Sequence, residues 1–198
     1  MKKKRENCSD EQLMLRFREG DMGAFQELYK RYEKRLYHFF RYCLGNDEAA
    51  DDLFQECFLR LIGARHRYAA QNGSFSSWVF TIAHNLVRDT MRYRSRRGQV
   101  EVPTADFREI NAASGENDSP FQRLRLKERA AILQRAMDRL PTEQREVILL
   151  SRFSGLSFAE ISEVLGCSPQ AAKQRAYRAM QNLRKILWEL TGRTDDAL

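Results

Sequence analysis

Alternating apolar and polar positions, the mark of a half-buried strand, are almost absent from this sequence. That excludes a sheet-based fold and leaves an all-α chain. No stretch approaches the ~20 apolar residues that a membrane-spanning helix needs. The four cysteines (Cys8, Cys43, Cys57 and Cys167) contain no C-x-x-C pair, so neither a zinc ribbon nor a dithiol redox motif is written here. Cys43 and Cys57 fall on apolar helix faces, where buried free thiols are expected, and that usage fits a reducing cytosol. The basic start Lys2-Lys3-Lys4-Arg5 runs into polar residues rather than the apolar core of a signal peptide. A cytoplasmic protein with no cofactor and no metal site is the expectation.

What is present is charge and apolar mass. The chain has 198 residues, enough for two small domains or one medium one, and 42% of them are hydrophobic, with twelve phenylalanines to build cores. Lysine and arginine outnumber aspartate and glutamate by 34 to 27, a net charge of +7 that favours a polyanionic partner.

The basic charge has a pattern at residues 156–185. Ser157 with Glu160 forms a capping box that starts a short helix, and Ser168-Pro169 starts a second, with a capping hydroxyl followed by a fixed φ. Gly166 lies between them, where the first helix must end with positive φ. A short helix, a tight turn and a longer helix make a helix-turn-helix. On the longer helix Ala172, Ala176, Ala179, Met180, Leu183 and Leu187 share one side, and Gln170, Gln174, Tyr177, Arg178, Gln181 and Lys185 the other, with Lys173 and Arg175 on the flanks. Residues 173–185 hold five basic side chains and no acid. Such a face suits a major groove, its cations on phosphate and its Gln and Arg side chains on base edges. The plainer alternative is a solvated helix face.

In chain order, Ser9 with Gln12 caps a first helix bearing Leu13, Leu15 and Phe17. Asp21 starts a long second one, with Phe25, Leu28, Tyr29, Tyr32, Leu36, Phe39, Phe40 and Cys43 at three- and four-residue steps, stopped by Gly45. Asn46 or Asp47 starts a third, whose buried stripe is Ala50, Leu53, Phe54, Cys57, Phe58 and Leu61 and whose expected stop is Gly63. Its other face carries Asp52, Gln55, Glu56 and Arg60, facing either water or a protein partner. Residues 64–74 form a loop. Ser74 caps a fourth helix with Phe75, Trp78, Val79, Ile82, Leu86 and Val87 inside, and Arg88, Arg92, Arg94, Arg96 and Arg97 against the single acid Asp89 near its end. A helix dipole accounts for ~0.3–1 kcal/mol per terminal cation; five arginines exceed what it calls for. Basic charge beside aromatics such as Tyr68 and Tyr93 suits a single strand, backbone on the cations and unstacked bases in aromatic pockets.

Residues 99–119 change composition, with five acids, one base and no apolar periodicity, and predict a flexible acidic linker. Its ~21 residues would span roughly 25 Å coiled and about 70 Å extended. Ser119-Pro120 then opens a second domain, with Leu124, Ala130, Leu133, Ala136 and Met137 inside its first helix. Pro141-Thr142 restarts the chain into Val147, Ile148 and Leu150. The predicted architecture is two helical domains, 9–98 and 120–190, joined by that linker.

Four segments, in order, resemble a known family. AADDLFQECFLRL (49–61) is similar to a D-x-x-Q-E-x-F helix, and GSFSSWVFTIAHNLVRD (73–89) to a G-x-F-x-x-W-L-x-x-I-A-x-N segment. LPTEQREVILL (140–150) and GLSFAEISEVLGCS (155–168) are similar to the opening of a helix-turn-helix domain. Together they resemble the bacterial RNA polymerase sigma factors of the extracytoplasmic-function (ECF) class, the two-domain form of the sigma-70 family. The resemblance implies that Asp52, Gln55 and Glu56 dock on the β′ clamp helices of core RNA polymerase. It implies that residues 64–74 and the fourth helix recognise and melt the −10 promoter element through Tyr68, Gln71, Asn72, Trp78, Asn85, Arg88 and Arg92, a flipped base being held near Gln71 and Asn72. It assigns the −35 element to Gln170, Lys173, Gln174, Arg175 and Arg178. The linker would thread the RNA exit path, and an anti-sigma factor would occlude the polymerase-binding face. The family commonly has threonine-valine at Ala171-Ala172 and a larger apolar residue at Ala176. Smaller side chains bury less apolar area, at ~25 cal/mol per Å2, which predicts a looser seat for this helix.

On this basis the chain is not an enzyme and has no small-molecule substrate. Melting would draw on captured bases and single-strand backbone, set against duplex stacking of ~1.4 kcal/mol per step. Two readings compete with it. A stand-alone helix-turn-helix regulator leaves the Asp52-Gln55-Glu56 face and the first basic helix unexplained. A metal-dependent nuclease or nucleotidyl transferase would need clustered carboxylates, for which Asp51, Asp52 and Glu56 are the candidates.

Overall fold

Every helix start whose cap the sequence marked is closed by a short side chain. The computed structural model describes residues 8–97, 120–152 and 154–192, and the helices are α1 (Asp10–Arg18), α2 (Met22–Leu44), α3 (Asp47–Ala64), α4 (Phe75–Arg96), α5 (Pro120–Asp138), α6 (Thr142–Arg152), α7 (Phe158–Leu165) and α8 (Pro169–Thr191). Among the described residues there is no strand. Ser9 and Gln12 make a reciprocal capping box on α1; the Asp21 carboxylate accepts from the Gly23 and Ala24 amides, and Asn46 accepts from Ala49. Each such cap satisfies orphan amides at a cost of roughly 1 kcal/mol when removed. Gly45 takes φ 66° and ends α2.

Gly63 does not end α3. Its φ is not positive, and the helix continues to Ala64, then tightens into a 3-10 turn at Arg65–Arg67. A helix can leave through a tightened last turn as well as through a left-handed cap, so a late glycine is not by itself a stop.

The N-terminal group packs α1 and α3 on α2, with α4 closing the other side. Its centre is aromatic: Phe39 meets Phe80 edge-on at 5.6 Å, Tyr32 meets Phe75 at 5.0 Å, and Phe54 and Phe58 stand 5.1 Å apart. Edge-to-face pairs of this kind add about 0.5–1.5 kcal/mol beyond the area they bury. In the C-terminal group α6 and α5 pack on α8, and α7 packs across it. Leu124, expected inside, is 54% exposed; it sits in the first turns of α5, ahead of Ala130, Ala136 and Met137, where burial begins.

The two groups touch, α2 against α6 and α4 against α7, and their buried residues form one continuous apolar cluster. Polar groups cross the seam. His84 Nδ1 on α4 lies 2.5 Å from Glu146 Oε1 on α6, both buried. Arg145, 2% exposed, donates to the carbonyls of Met137 and Asp138 at the end of α5 and of Leu140 just beyond it, and to that of Tyr42 near the end of α2 at 3.4 Å. A buried guanidinium is stable when its donors are satisfied, and the last carbonyls of a helix, which have no partner within it, are apt acceptors. The linker expected at 99–119, like the basic start at residues 2–5, lies outside the described residues.

Candidate nucleic-acid interface

Three surfaces carry the residues singled out by sequence. On α3, Asp52 and Gln55 are exposed, and Glu56 is half-buried and ion-paired to Arg60 at 2.7 Å, one helical turn on. Leu59 stands beside them at 64% exposure, a side chain that sequence reading passed over. Its signal was available: it lies four residues after Gln55 and falls off the stripe of Phe54, Cys57, Phe58 and Leu61. The face is a polar row with one exposed apolar side chain a turn beyond it, and such side chains dominate many protein contacts.

Residues 65–74 lead from α3 to α4 through two 3-10 turns, Arg65–Arg67 and Ala70–Asn72, and then Gly73 at φ 126°. Gln71 is exposed; the side chain of Asn72 lies outside what the structure describes. Tyr68 departs from expectation. It is 3% exposed, with its ring 5.1 Å from Trp78 and 6.0 Å from Phe75. Burial, reinforced by the charges of Glu11 and Asp10, pushes its phenol up to about 12. Tyr68 therefore supports the turn from inside rather than lining a surface, and an aromatic ring in a short loop next to a tryptophan gains more from the core than from water. Trp78 is half-buried beside it.

Along α4, Asn85 is half-buried, and Arg88 and Arg92 are exposed. Their spacing of three and four residues puts all three on one stripe. Arg92 has Asp89 3.9 Å away, and Arg97 lies over the Tyr93 ring at 4.5 Å. Buried His84, unmarked by the apolar stripe, faces the seam from the same helix.

On α8, Gln170, Lys173, Gln174, Arg175 and Arg178 are all exposed, while Ala172, Ala176, Ala179 and Leu183 are buried. Ser168 caps the helix through the Ala171 amide, and Gly166 at φ 61° makes the turn from α7. Ala172, Ala176, Ala179 and Leu183 form the buried inner face of α8. Gln170, Lys173, Gln174, Tyr177 and Arg178 line a shallow concavity of about 260 Å3. Tyr177 is 66% exposed, and its hydroxyl accepts from Gln181 Nε2 at 2.9 Å. An aromatic ring held upright on a polar helix face adds an apolar contact that the glutamines and arginines lack.

The thiols of Cys43 and Cys57 are buried, and burial pushes the first well up and the second to about 12, so both stay protonated near neutral pH. Among the described residues no three His, Cys, Asp or Glu side chains are grouped to hold a metal ion, and no helix is long and apolar enough to cross a membrane.

Residues 28–97 match the family model described as Sigma-70 region 2, and residues 130–183 match Sigma-70, region 4. The chain is 34% identical over 177 residues to the RNA polymerase sigma factor CarQ of Myxococcus xanthus, covering 89% of this chain and 97% of that one. It is also 34% identical to the ECF RNA polymerase sigma factor BldN of Streptomyces coelicolor, covering 89% of this chain and 65% of that longer one. Among solved structures it is similar to CnrH, in a complex with the cytosolic domain of CnrY, at 26% identity and a TM-score of 0.64 over 90% of this chain and 96% of that one. With both helical groups matched and CarQ covered almost end to end, the chain belongs to the ECF class of the sigma-70 family.

Proposed function

We propose that the chain directs promoter-specific initiation by mounting two DNA-reading surfaces on core RNA polymerase. Asp52, Gln55 and Glu56, with Leu59 one turn beyond them, form the contact to the β′ clamp helices. Gln71, Asn72 and the Asn85-Arg88-Arg92 stripe take the −10 strand, with Trp78 at the rim and Tyr68 as internal support. Gln170, Gln174 and Arg178 read the −35 element, and Lys173 and Arg175 hold its phosphates. The observation that carries this reading is the sorting of α8. Its polar face is exposed from Gln170 to Arg178 while Ala172 and Ala176 are buried between, as a helix offered to a groove requires.

No reacting group is needed, so the role is that of a specificity subunit rather than an enzyme, working in the bacterial cytoplasm. Each DNA contact is weak alone, and fixing both groups on one polymerase gives the second a high effective concentration. An anti-sigma factor that covers the α3 face is the expected regulator, since CnrH, a solved relative, is found in a complex with the cytosolic domain of CnrY. Run-off transcription with purified core polymerase tests the proposal. A promoter-dependent transcript that requires this chain supports it. Duplex binding without polymerase, and no transcript from any template so bound, would favour a stand-alone regulator instead.

A further inference from the structure

The segment that leads into α4 is gripped at both ends by side chains of one helix. At its entry the Tyr68 carbonyl accepts from Arg18 Nη1 at 3.4 Å. At its exit the Phe75 amide, the first of α4, donates to Glu11 Oε1 at 3.1 Å. Both partners belong to α1. Ser74 takes the Ser77 amide at 3.1 Å, so a local hydroxyl and a remote carboxylate divide the orphan amides of this helix start between them. Glu11 and Arg18 stand two turns apart, on one face of α1 and about 10 Å from each other along its axis. Met14, on the same stripe, is fully buried, and Leu13 and Phe17 beside it are buried too. The first turn of α1 is fixed again through Asp10, which takes the Tyr32 hydroxyl at 2.5 Å and Arg31 at 2.8 Å. That hydroxyl also meets Ser76 Oγ, in the first turn of α4, at 2.7 Å. The Tyr68 hydroxyl, by contrast, is buried with no hydrogen-bond partner among the described residues, so the polar hold on this end is the carbonyl's. Between the anchors lie residues 69–74, a one-turn 3-10 helix and then Gly73, with Gln71 exposed. So short an element has little rigidity of its own, and what grips its ends sets its pose. α1 lies ahead of the residues that match the region 2 model, and the −10 assignment above uses none of its side chains.

We infer that α1 positions the −10 reader: Glu11 and Arg18 pin residues 69–74 in the pose in which Gln71 and Asn72 hold a flipped base. The inference rests on the assignment of residues 64–74 to that strand. Glu11 and Arg18 act through the backbone of the segment and not on DNA, so they are positioning residues. A base held on a short exposed turn is told from its competitors by where donors and acceptors stand, and displacements of about 0.5 Å are enough to lose that geometry. Loss of an anchor therefore blunts the choice among bases. It spares the hold on the strand backbone, which depends on Arg88 and Arg92 farther along α4. Every bond in this arrangement lies inside the N-terminal group, so it serves the chain wherever the C-terminal group is placed.

The test uses the full chain on core polymerase with two template libraries, one randomised across the −10 segment and one across the −35 segment, read by sequencing run-off transcripts. Glu11→Ala removes one anchor, and Arg18→Met removes the other while keeping its apolar stem. Asn46→Ala, which uncaps α3 at the end away from the loop, controls for a general loss of stability. The expected result is that E11A and R18M each lower the preference at one or two adjacent −10 positions by about fivefold or more. Preferences at −35 and affinity for core polymerase should stay at parent values. Glu11→Gln keeps an acceptor and Arg18→Lys a donor, and both should restore most of the −10 preference. Parental −10 preference in E11A and R18M overturns the inference, and so does an equal loss in N46A. Amide hydrogen exchange on the free chain gives a second measure: residues 69–75 should exchange about fivefold faster in E11A and R18M than in the parent or N46A, and unchanged exchange overturns the inference too. A parent library with no preference at any −10 position would instead sink the strand assignment, while exchange would still decide whether α1 pins the segment.

Discussion

His84 on α4 and Glu146 on α6 meet 2.5 Å apart with almost no exposure to water, and they belong to different helical groups. A buried polar pair is worth little net, but removing one member strands the other. His84→Ala is therefore expected to destabilise the chain by about 1–3 kcal/mol, the cost of an unsatisfied buried group. Replacing both with leucine is expected to cost much less. Urea unfolding followed by intrinsic fluorescence checks this, and His84→Ala should also split one transition into two, because the pair ties the groups together.

Asp138, at the end of α5, sits half-buried, and its Oδ1 has no hydrogen-bond partner among the described residues. Burial raises its carboxyl to about 6, against a smaller lowering by Arg145. A raised carboxyl pKa means the folded chain holds a proton that the unfolded chain releases. The stability it contributes is full below about pH 4 and is lost as pH rises through 6. Asp138→Asn should therefore stabilise at pH 7.5 by less than about 1 kcal/mol, given solvent screening, a rise in melting temperature of up to about 3 °C. The advantage should shrink toward pH 4.5. Thermal melts at both values decide; a uniform shift with no pH dependence would contradict the argument.

On the proposed reading, the exposed side chains of α8 make two kinds of contact. Lys173→Ala should weaken promoter binding by the holoenzyme on all sequences alike and lower the salt slope by about 1. Gln174→Ala should leave the slope unchanged and cost about 1–3 kcal/mol of discrimination at a single base position. Binding titrations across a range of salt, repeated on a set of singly mutated −35 elements, distinguish them.

Leu59→Ala is expected to weaken core polymerase binding by about 1–2 kcal/mol with no loss of fold, since the side chain projects into water and touches little of the core. Glu56→Ala acts there and also releases Arg60. Competition for core polymerase against a labelled second sigma factor measures both. Equal affinity of the Leu59 variant and the parent would remove the apolar knob from the contact.

Much of this was readable in the chain. Caps at Ser9, Asp21, Asn46, Ser74, Ser157 and Ser168 and the stripe of α2 follow from local chemistry, and local chemistry is what a sequence displays. Tyr68, Arg145 and Glu146 were not readable. Glu146 is buried against His84 of a distant helix, Arg145 against the end of α5 and Tyr42, and Tyr68 against Phe75 and Trp78 of the helix that follows its loop, whereas periodicity assigns polar residues outward by default. Arg145 and Glu146 lie side by side in the LPTEQREVILL segment, whose likeness identified a domain but gave no hint that these two side chains serve its contact with another. Leu124 failed in the opposite direction, an apolar residue on a turn that the rest of the group does not reach.

The alanine face of α8 sets how finely this helix can be aimed. Alanine has a single side-chain geometry, so Ala172, Ala176 and Ala179 give the helix no rotamers with which to absorb a small displacement. Adding carbon at Ala176 acts as a shim. It lifts the axis from α6 and α7 and swings the far ends of Gln170 and Arg178 along the groove. On the proposed −35 reading, a substitution on the buried side of this helix would then move the preferred sequence without touching a base.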